Sequence, residues 1–358
     1  MSTIGVHAST HQVAESAARR SWRRTAARWG AVAWSLAYAW LHGYWALGGA
    51  GFPYGADHDS AADLTWFAHA QPEKMGPAVA VLALAGAAVA AAMARGVDGR
   101  AWRHGLLGFA WLAAAVLALL LPDYRVLMVV AYTPILLVGV PLGLIPLAEA
   151  AQVWTPTLAT QLFSMVGGGL WAAAAVTYAR RTSVGGRGWT PASAARGGRW
   201  ATGIAVAVPI VYAVTRLAWM AGVPLGISNE FLEQMRDDGM LFAGASLGLL
   251  AVGGAVLTLG LVQRWGEVFP RWMPVVRDRR VPPMLAVVPA MAVAVLVTSA
   301  GTMFVRLAIT GGLPEELSDE NALGALGPEL LWPLWGPALA VAALAYHRRR
   351  RGAVQGSR

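Results

Sequence analysis

The segment from residue 283 to residue 305 reads PMLAVVPAMAVAVLVTSAGTMFV and contains no charged side chain. An apolar run of this length can cross roughly 30 Å of hydrocarbon as an α-helix. Similar runs occupy residues 77–94, 202–222 and 240–262. The whole chain is 57% hydrophobic and 13% charged, whereas about 25% of the residues of a soluble domain are charged. The sequence therefore predicts an integral membrane protein.

The apolar runs predict an all-α polytopic fold, because helices satisfy their own backbone hydrogen bonds in lipid. We expect about eight transmembrane helices, at residues 29–48, 77–94, 105–121, 160–179, 202–222, 240–263, 283–305 and 329–347. With these spans, most basic residues lie on the N-terminal side of the membrane, including the clusters at 19–24 and 348–351. Such a split follows the positive-inside rule. It predicts a multi-pass membrane protein with both termini in the cytoplasm.

The net charge of +9 is thereby explained by topology and by contact with anionic membrane lipids, and we expect no nucleic-acid partner. The chain has no cysteine, which excludes disulfides, thiolate metal sites and cysteine nucleophiles. It also lacks nucleotide-binding loops and catalytic-triad spacings. We expect neither a cofactor nor a metal.

Two halves of the chain share a pattern. Tyr38-AWLHGY-Trp45 aligns without gaps on Tyr212-AVTRLA-Trp219, and GFPYG at 51–55 matches GVPLG at 222–226. Each half ends in an apolar helix that closes with a tyrosine and two arginines, at 178–181 and 346–349. These matches predict two four-helix repeats. An even number of spans per repeat gives both copies the same orientation, so the repeats are expected to be parallel.

The predicted organisation has five parts. Residues 1–28 form a basic cytoplasmic N-terminus, 29–181 the first membrane repeat, 182–200 a cytoplasmic linker, 201–348 the second membrane repeat and 349–358 a basic tail. Residues 126–148 do not fit a doubled unit and contain Pro134, Pro141 and Pro146. We interpret them as a proline-broken, re-entrant segment, with a full ninth span as the alternative.

Ionisable residues inside a bilayer are costly and indicate sites. Arg216 lies within its predicted span, and its counterpart in the first half is His42. Arg306 follows an apolar helix, as Arg125 does in the first half. The alternative for each arginine is snorkelling to the membrane surface or clamping a loop.

Two carboxylates occupy matching positions after the glycine turns, Asp59 and Glu230. A partly buried carboxylic acid can donate a proton, although most loop carboxylates are solvated or cap helices. Aromatic residues stand near these positions on the first span of each half. Because ring faces can stabilise cations, we include them as candidate binding residues, with plain packing as the alternative: Trp40, Tyr44, Trp45, Tyr212 and Trp219.

The stretches 212–226, 267–274 and 279–283 resemble a group of actinobacterial polytopic membrane proteins with an internal duplication. Within that group, the chain resembles the bacterial membrane-bound terpene cyclases of indole-sesquiterpene and meroterpenoid pathways. The resemblance implies a cofactor-free isomerase that protonates the alkene of a prenylated, for example farnesylated, small molecule. Asp59 or Glu230 would be the acid, and Trp40, Trp45 and Trp219 would line the pocket.

Two other functions are compatible with the same residues. A small-molecule or ion transporter of parallel repeats would place its site between the halves, near His42 and Arg216. An envelope scaffold would need no small-molecule chemistry.

Overall fold

The computed structural model describes residues 4–59, 61–97, 99–143, 145–182, 191–271, 273, 277–312 and 322–355. These residues are mostly helical. They contain no β-strand, and a single isolated bridge pairs Val268 with Arg280. The all-α prediction is confirmed.

Twelve α-helices occur in the described residues. They are α1 (Ile4–Ala46), α2 (Pro72–Arg95), α3 (Arg100–Ala115), α4 (Tyr124–Gly139), α5 (Leu147–Ala151), α6 (Pro156–Thr182), α7 (Pro191–Met220), α8 (Asn229–Asp237), α9 (Met240–Leu259), α10 (Pro283–Thr310), α11 (Ala322–Leu330) and α12 (Trp332–Gln355). A short π-helix, Val116–Leu120, extends α3. Short 3-10 helices lie at Ala62–Leu64 and Arg264–Gly266.

Seven helical segments in the described residues are long and apolar enough to cross a membrane. They are 72–95, 102–120, 156–182, 196–220, 240–259, 283–310 and 324–351. The chain is therefore a multi-pass membrane protein. The predicted span at 29–48 is helical as far as Ala46, as the last part of α1, but it is not among the seven. Its tryptophan, tyrosine and histidine side chains make this stretch less apolar than the others.

The first compact unit comprises residues 1–121 and 155–186. Its long helices are α1, α2, α3 and α6; α1 packs on α2 and on α6, and α3 packs on α6. Large aromatic side chains fill its core, including Trp34, Tyr38 and Trp171. The helices leave little free volume because small residues such as Ala90, Ala110 and Ala175 let them approach closely.

The second compact unit comprises residues 122–154 and 187–358. Its long helices α7, α9, α10 and α12 pack in the same order, with α7 on α9 and on α12, and α10 on α12. One core cluster again combines small and large residues, including Ala205, Leu339 and Tyr346. Each unit thus repeats one pattern of helix contacts, which supports the predicted duplication.

The glycine turn after the first long helix of each unit has the same backbone geometry. Gly51 and Gly55 have φ angles of 82° and 85°, and their counterparts Gly222 and Gly226 have φ angles of 82° and 74°. These left-handed conformations strongly favour glycine, which explains why both turns have the pattern Gly-x-Pro-x-Gly.

The closing tyrosines make the same contact in both units. The Tyr178 hydroxyl donates a hydrogen bond to the Val97 carbonyl at 2.7 Å, and the Tyr346 hydroxyl donates one to the Gly266 carbonyl at 2.7 Å. In each case the last helix of the unit is fastened to the loop that follows its second helix. The repeat therefore extends to individual hydrogen bonds.

The segment 122–154 is where the structure departs from the predicted boundaries. We expected it inside the first repeat at 29–181, but it belongs to the second unit, where α4 packs on α10. Pro134 lies inside α4, which ends at Gly139 before Pro141. The 16-residue α4 would be about 24 Å long, shorter than the hydrocarbon core. It is not among the seven spanning segments.

Other predicted boundaries also shift. The basic N-terminus is helical from Ile4 within α1, and α12 continues to Gln355 in the predicted tail. Of the predicted linker 182–200, residues 183–190 lie outside the described residues, and α7 begins at Pro191. The N-terminal segment and the described part of the tail contain no proline that would end a helix, and Pro191 suits the first turn of α7.

The repeated tyrosine contacts predict a matched loss of stability. Tyr178→Phe and Tyr346→Phe each remove a hydrogen bond and leave a loop carbonyl without its partner, so each should lower the free energy of unfolding by about 1–3 kcal/mol. Tyr132→Phe is the control, since the half-buried Tyr132 hydroxyl makes no hydrogen bond to the described residues. Thermal unfolding in detergent measures the effect. Equal melting temperatures for all three variants would contradict this role for the two tyrosines.

Candidate functional site

One face of α7 carries three of the predicted site residues. Tyr212, Arg216 and Trp219 are spaced four and three residues apart, so they lie above one another on the helix. All three are buried, and Arg216 is only 9% exposed. Its guanidinium lies 4.6 Å from the ring centre of Tyr212 and 4.3 Å from that of Trp219. Both aromatic faces therefore stabilise the arginine.

Glu329 of α11 provides the counter-charge. Its Oε1 forms an ion pair with the Arg216 guanidinium, and the carboxylate is also buried. Arg216 donates further hydrogen bonds to the carbonyls of Ala325, at 3.0 Å, and Gly324, at 3.3 Å. A charge inside an apolar bundle needs this complete set of partners, because the cost of removing it from water is large.

The turn after α7 positions α11. The amide of Gly324 donates a hydrogen bond to the Gly226 carbonyl at 2.9 Å. The two backbones approach so closely that a Cβ atom at position 324 would collide with Gly226. The glycine at the start of α11 is thus what allows Glu329 to reach Arg216.

A cavity of about 490 Å³ lies beside the ion pair, within the second unit. Its wall is mostly apolar and aromatic, and its polar groups include the Arg216–Glu329 pair. The lining residues are Tyr212, Arg216, Trp219, Phe231, Gln234, Met235, Met240, Leu241, Gly244, Leu247, Phe304, Ala325, Leu326 and Glu329. This size and composition are typical of a small-molecule site.

The second carboxylate oxygen of Glu329, Oε2, is buried and has no hydrogen-bond partner among the described residues. Leaving such an oxygen unpaired costs about 1–3 kcal/mol or more. A buried polar atom that faces this cost is explained by an ordered water or ion or by a role in binding or catalysis. Because Arg216 holds Oε1, the carboxyl group has a defined orientation.

Helix α8 closes one side of the cavity. Ser228 caps its first turn by accepting a hydrogen bond from the Phe231 amide at 3.1 Å. Leu232 and Met235 are buried against Trp219. Phe231 and Met235 also line the cavity, so the apolar face of this short helix is what shapes it.

The segment 122–154, which has no counterpart in the first unit, packs against residues around the cavity. Tyr124 and Leu127 of α4 pack on the cluster that contains Tyr212 and Trp332. Asp123 caps α4 by accepting a hydrogen bond from the Arg125 amide at 2.9 Å, and its carboxylate also pairs with the Arg125 side chain. The Ser299 hydroxyl donates to the Pro122 carbonyl at 2.9 Å, which joins this segment to α10.

The first unit contains a neutral version of the same arrangement. His42 is fully buried, with its ring 4.3 Å from that of Tyr38 and 5.0 Å from that of Trp45. His42 Nδ1 lies 3.0 Å from the Tyr38 carbonyl, and Nε2 has no partner among the described residues. Gln161 and Glu329 stand the same number of residues before the closing tyrosines, and Gln161 is buried too.

Tyr54 lies within the glycine turn of this unit, between Pro53 and Gly55, and belongs to the same aromatic cluster. Burial raises the pKa of the Tyr54 hydroxyl well above its ordinary value, and the neighbouring Tyr38 raises it further. The tyrosine therefore stays neutral.

Several predicted site residues lie elsewhere. Trp40 and Tyr44 stack on each other with ring centres 6.0 Å apart, but they are 71% and 43% exposed, so they do not line a buried pocket. They occupy the face of α1 opposite to the packed one. Trp45 is buried in the aromatic cluster of the first unit.

Neither predicted acid lines the cavity of the second unit. Glu230 is exposed on α8, and Asp59 is in the first unit, where it accepts a hydrogen bond from the Ala61 amide at 3.1 Å. Arg306 is half-buried on α10 and interacts electrostatically with Asp123. Tyr212, Arg216 and Trp219 are the predicted residues that the structure brings together at one cavity.

Sequence reasoning missed Glu329, Phe231 and Phe304. The predicted last span started at residue 329, which treated Glu329 as its boundary. The apolar helix begins earlier, and the spanning segment from Gly324 to Arg351 contains the glutamate. An acid inside an apolar run was the signal that could have revealed it.

No protein-family model matches the chain, and neither a curated protein nor a solved structure shows significant similarity to it. The geometry of the site is therefore the basis for the function proposed below.

The buried ion pair predicts strong coupling between its two members. Arg216→Met leaves Glu329 buried without a counter-charge and should cost about 3–5 kcal/mol of stability. The double variant Arg216→Met/Glu329→Leu removes both charges and should recover much of that loss. Arg236→Gln breaks the exposed pair with Glu233 and should change stability by about 0.5 kcal/mol or less. Thermal unfolding in detergent compares the variants; additive losses in the double variant would contradict the coupling.

Proposed function

We propose that the protein is a membrane-integral, cofactor-free terpene cyclase that acts on a prenylated small molecule in the cavity of the second unit. The observation that carries the proposal is Glu329, a buried carboxyl group with one oxygen held by Arg216 and the other unpaired beside an apolar, aromatic cavity. A positioned acid in a dry cavity is what protonation of an alkene requires.

The reaction needs only one acid. In its protonated form, the Glu329 carboxyl group donates a proton to one alkene carbon, forming a C–H bond with the π electrons and leaving a carbocation on the other carbon. The ion pair with Arg216 corresponds to the carboxylate that remains after this donation. A second alkene of the substrate attacks the carbocation and closes the ring. Loss of a proton from the cyclic cation, back to the carboxylate, gives an isomer of the substrate, so all atoms and electrons balance.

Neighbouring residues support this chemistry. Arg216 stabilises the carboxylate that forms when Glu329 loses its proton. The guanidinium already occupies ring faces of Tyr212 and Trp219, so Phe231 and Phe304 are the aromatic residues left to stabilise the carbocation. The apolar wall keeps water away from the cation.

We assign the acid to Glu329 in place of Asp59 and Glu230. Purified protein in nanodiscs, given a farnesylated indole without added metal, should form an isomeric cyclic product. Glu329→Gln should lower the rate at least about 100-fold, since the amide cannot donate a comparable proton. Glu73→Gln, an exposed glutamate in the first unit, is the matched control and should keep the wild-type rate.

Three outcomes would contradict the proposal. Conversion that survives Glu329→Gln but is lost in Asp59→Asn or Glu230→Gln would show that Asp59 or Glu230 is the proton donor. Absence of conversion together with substrate flux in proteoliposomes would favour a transporter. Absence of both with constitutive co-purification of another membrane protein would favour a scaffold.

We also propose that the protein lies in a bacterial plasma membrane with both termini in the cytoplasm, which the charge distribution supports. Since the chain has no cysteine, single cysteines report orientation directly. A membrane-impermeant maleimide applied to intact spheroplasts should label Ala61→Cys and should label Ser357→Cys only after the membrane is permeabilised. The reverse pattern would show that the orientation is inverted.

A further inference from the structure

The charges that line the cavity cancel. Arg216 and Glu329 are the ionisable lining residues apart from the tyrosine Tyr212, and they pair with each other. Among the described residues, the wall therefore has no excess positive charge to bind a phosphate group. A phosphorylated ligand normally requires arginine or lysine side chains that are free to contact it.

The helix beside the cavity is acidic. α8 and the residue after it contain Glu230, Glu233, Asp237 and Asp238, and all four are exposed. The single basic residue of α8, Arg236, forms a 2.6 Å ion pair with Glu233. This rim of four acidic residues, the acidic rim, thus keeps a net negative charge.

The acidic rim and the cavity share one helix. Gln234 of α8 and Met240 at the start of α9 line the cavity and are also exposed, so the cavity opens beside the acidic rim. Fields from clustered charges of one sign attract ligands of the opposite sign and repel those of the same sign.

An independent observation indicates that the cavity takes a ligand. Glu329 is 5% exposed, lines the inner part of the site and has an unpaired Oε2. An unpaired acceptor at the inner end and a negative field at the opening give the cavity two distinct ends. The wall between them, including Phe231, Leu247 and Phe304, is apolar.

From this arrangement we propose that the preferred ligand is an amphipathic cation, with a prenyl-type apolar chain that reaches Glu329 and an ammonium-type head group at the acidic rim. A neutral prenylated compound such as a farnesylated indole is expected to bind more weakly, and phosphorylated prenyl compounds such as prenyl diphosphates more weakly still. The reaction of such a ligand rests on the proposed function, but its binding does not require turnover.

Three probes with the same C15 chain test the charge of the head group: farnesylamine, farnesol and farnesyl diphosphate. Binding of radiolabelled farnesylamine to the full chain in nanodiscs is measured first. Farnesol and farnesyl diphosphate are then tested as competitors for the saturable part of this binding. We expect farnesylamine to bind at least about tenfold more tightly than farnesyl diphosphate at low salt, with farnesol between them. The ratio should shrink at high ionic strength, because the rim charges are exposed and screened by salt.

Two sets of variants identify the charges responsible. The quadruple variant Glu230→Gln/Glu233→Gln/Asp237→Asn/Asp238→Asn should lower farnesylamine affinity several-fold and leave farnesol affinity unchanged. The double variant Asp57→Asn/Glu73→Gln removes two exposed acids of the first unit and should change neither affinity. Intact folding of each variant is checked by size-exclusion chromatography.

The outcomes separate the two proposals. Selective farnesylamine binding without cyclisation would support the ligand class and contradict the cyclase. Diphosphate binding as tight as or tighter than amine binding would overturn the ligand class, whether or not the protein cyclises a neutral substrate. An amine preference that persists in the quadruple variant would overturn the role of the acidic rim.

Discussion

Arg216 introduces a permanent positive charge into an apolar helical bundle, and much of the second unit is arranged around that charge. A buried guanidinium requires a counter-ion, hydrogen-bond acceptors and favourable contacts for its faces. Glu329 is the counter-ion, and the carbonyls of α11 accept the hydrogen bonds. The rings of Tyr212 and Trp219 contact the faces of the guanidinium. The short helix α11 and its glycine contact with the turn after α7 are needed to bring these groups together.

The two units show how one pattern of helix contacts can hold different chemical groups. Both keep the tyrosine and the tryptophan around a polar side chain, both keep the left-handed glycines, and both fasten the last helix with a tyrosine hydroxyl. In the first unit the polar side chain is a histidine within a filled aromatic core. In the second it is an arginine beside a cavity. The scaffold stays the same because its contacts are made by the shared residues, whereas the chemistry depends on the residues that differ.

Much of the fold could be predicted because it depends on local patterns. The apolar runs, the basic loops and the repeat all follow from the order of residue types, and the buried position of Arg216 follows from its place in a span. Glu329 could have been singled out as an acid inside an apolar run, but its pairing with Arg216 could not be predicted, because the two residues are more than a hundred positions apart in the chain. The orientation of Trp40 and Tyr44 was also beyond sequence reasoning, since a tryptophan in a membrane helix is equally compatible with lipid and with protein neighbours.

The location of α4 was the least predictable feature, because the chain leaves the first unit after Leu121 and returns to it at Thr155. During synthesis, α4 is made before α10, the helix on which it packs. The contact between α4 and α10 can therefore form only after α6, the linker, α7 and α9 have been made. The predicted repeat boundary and the boundary between the compact units do not coincide. A cut at the linker would separate α4 from its partners, so the two halves of this chain are no longer independent proteins.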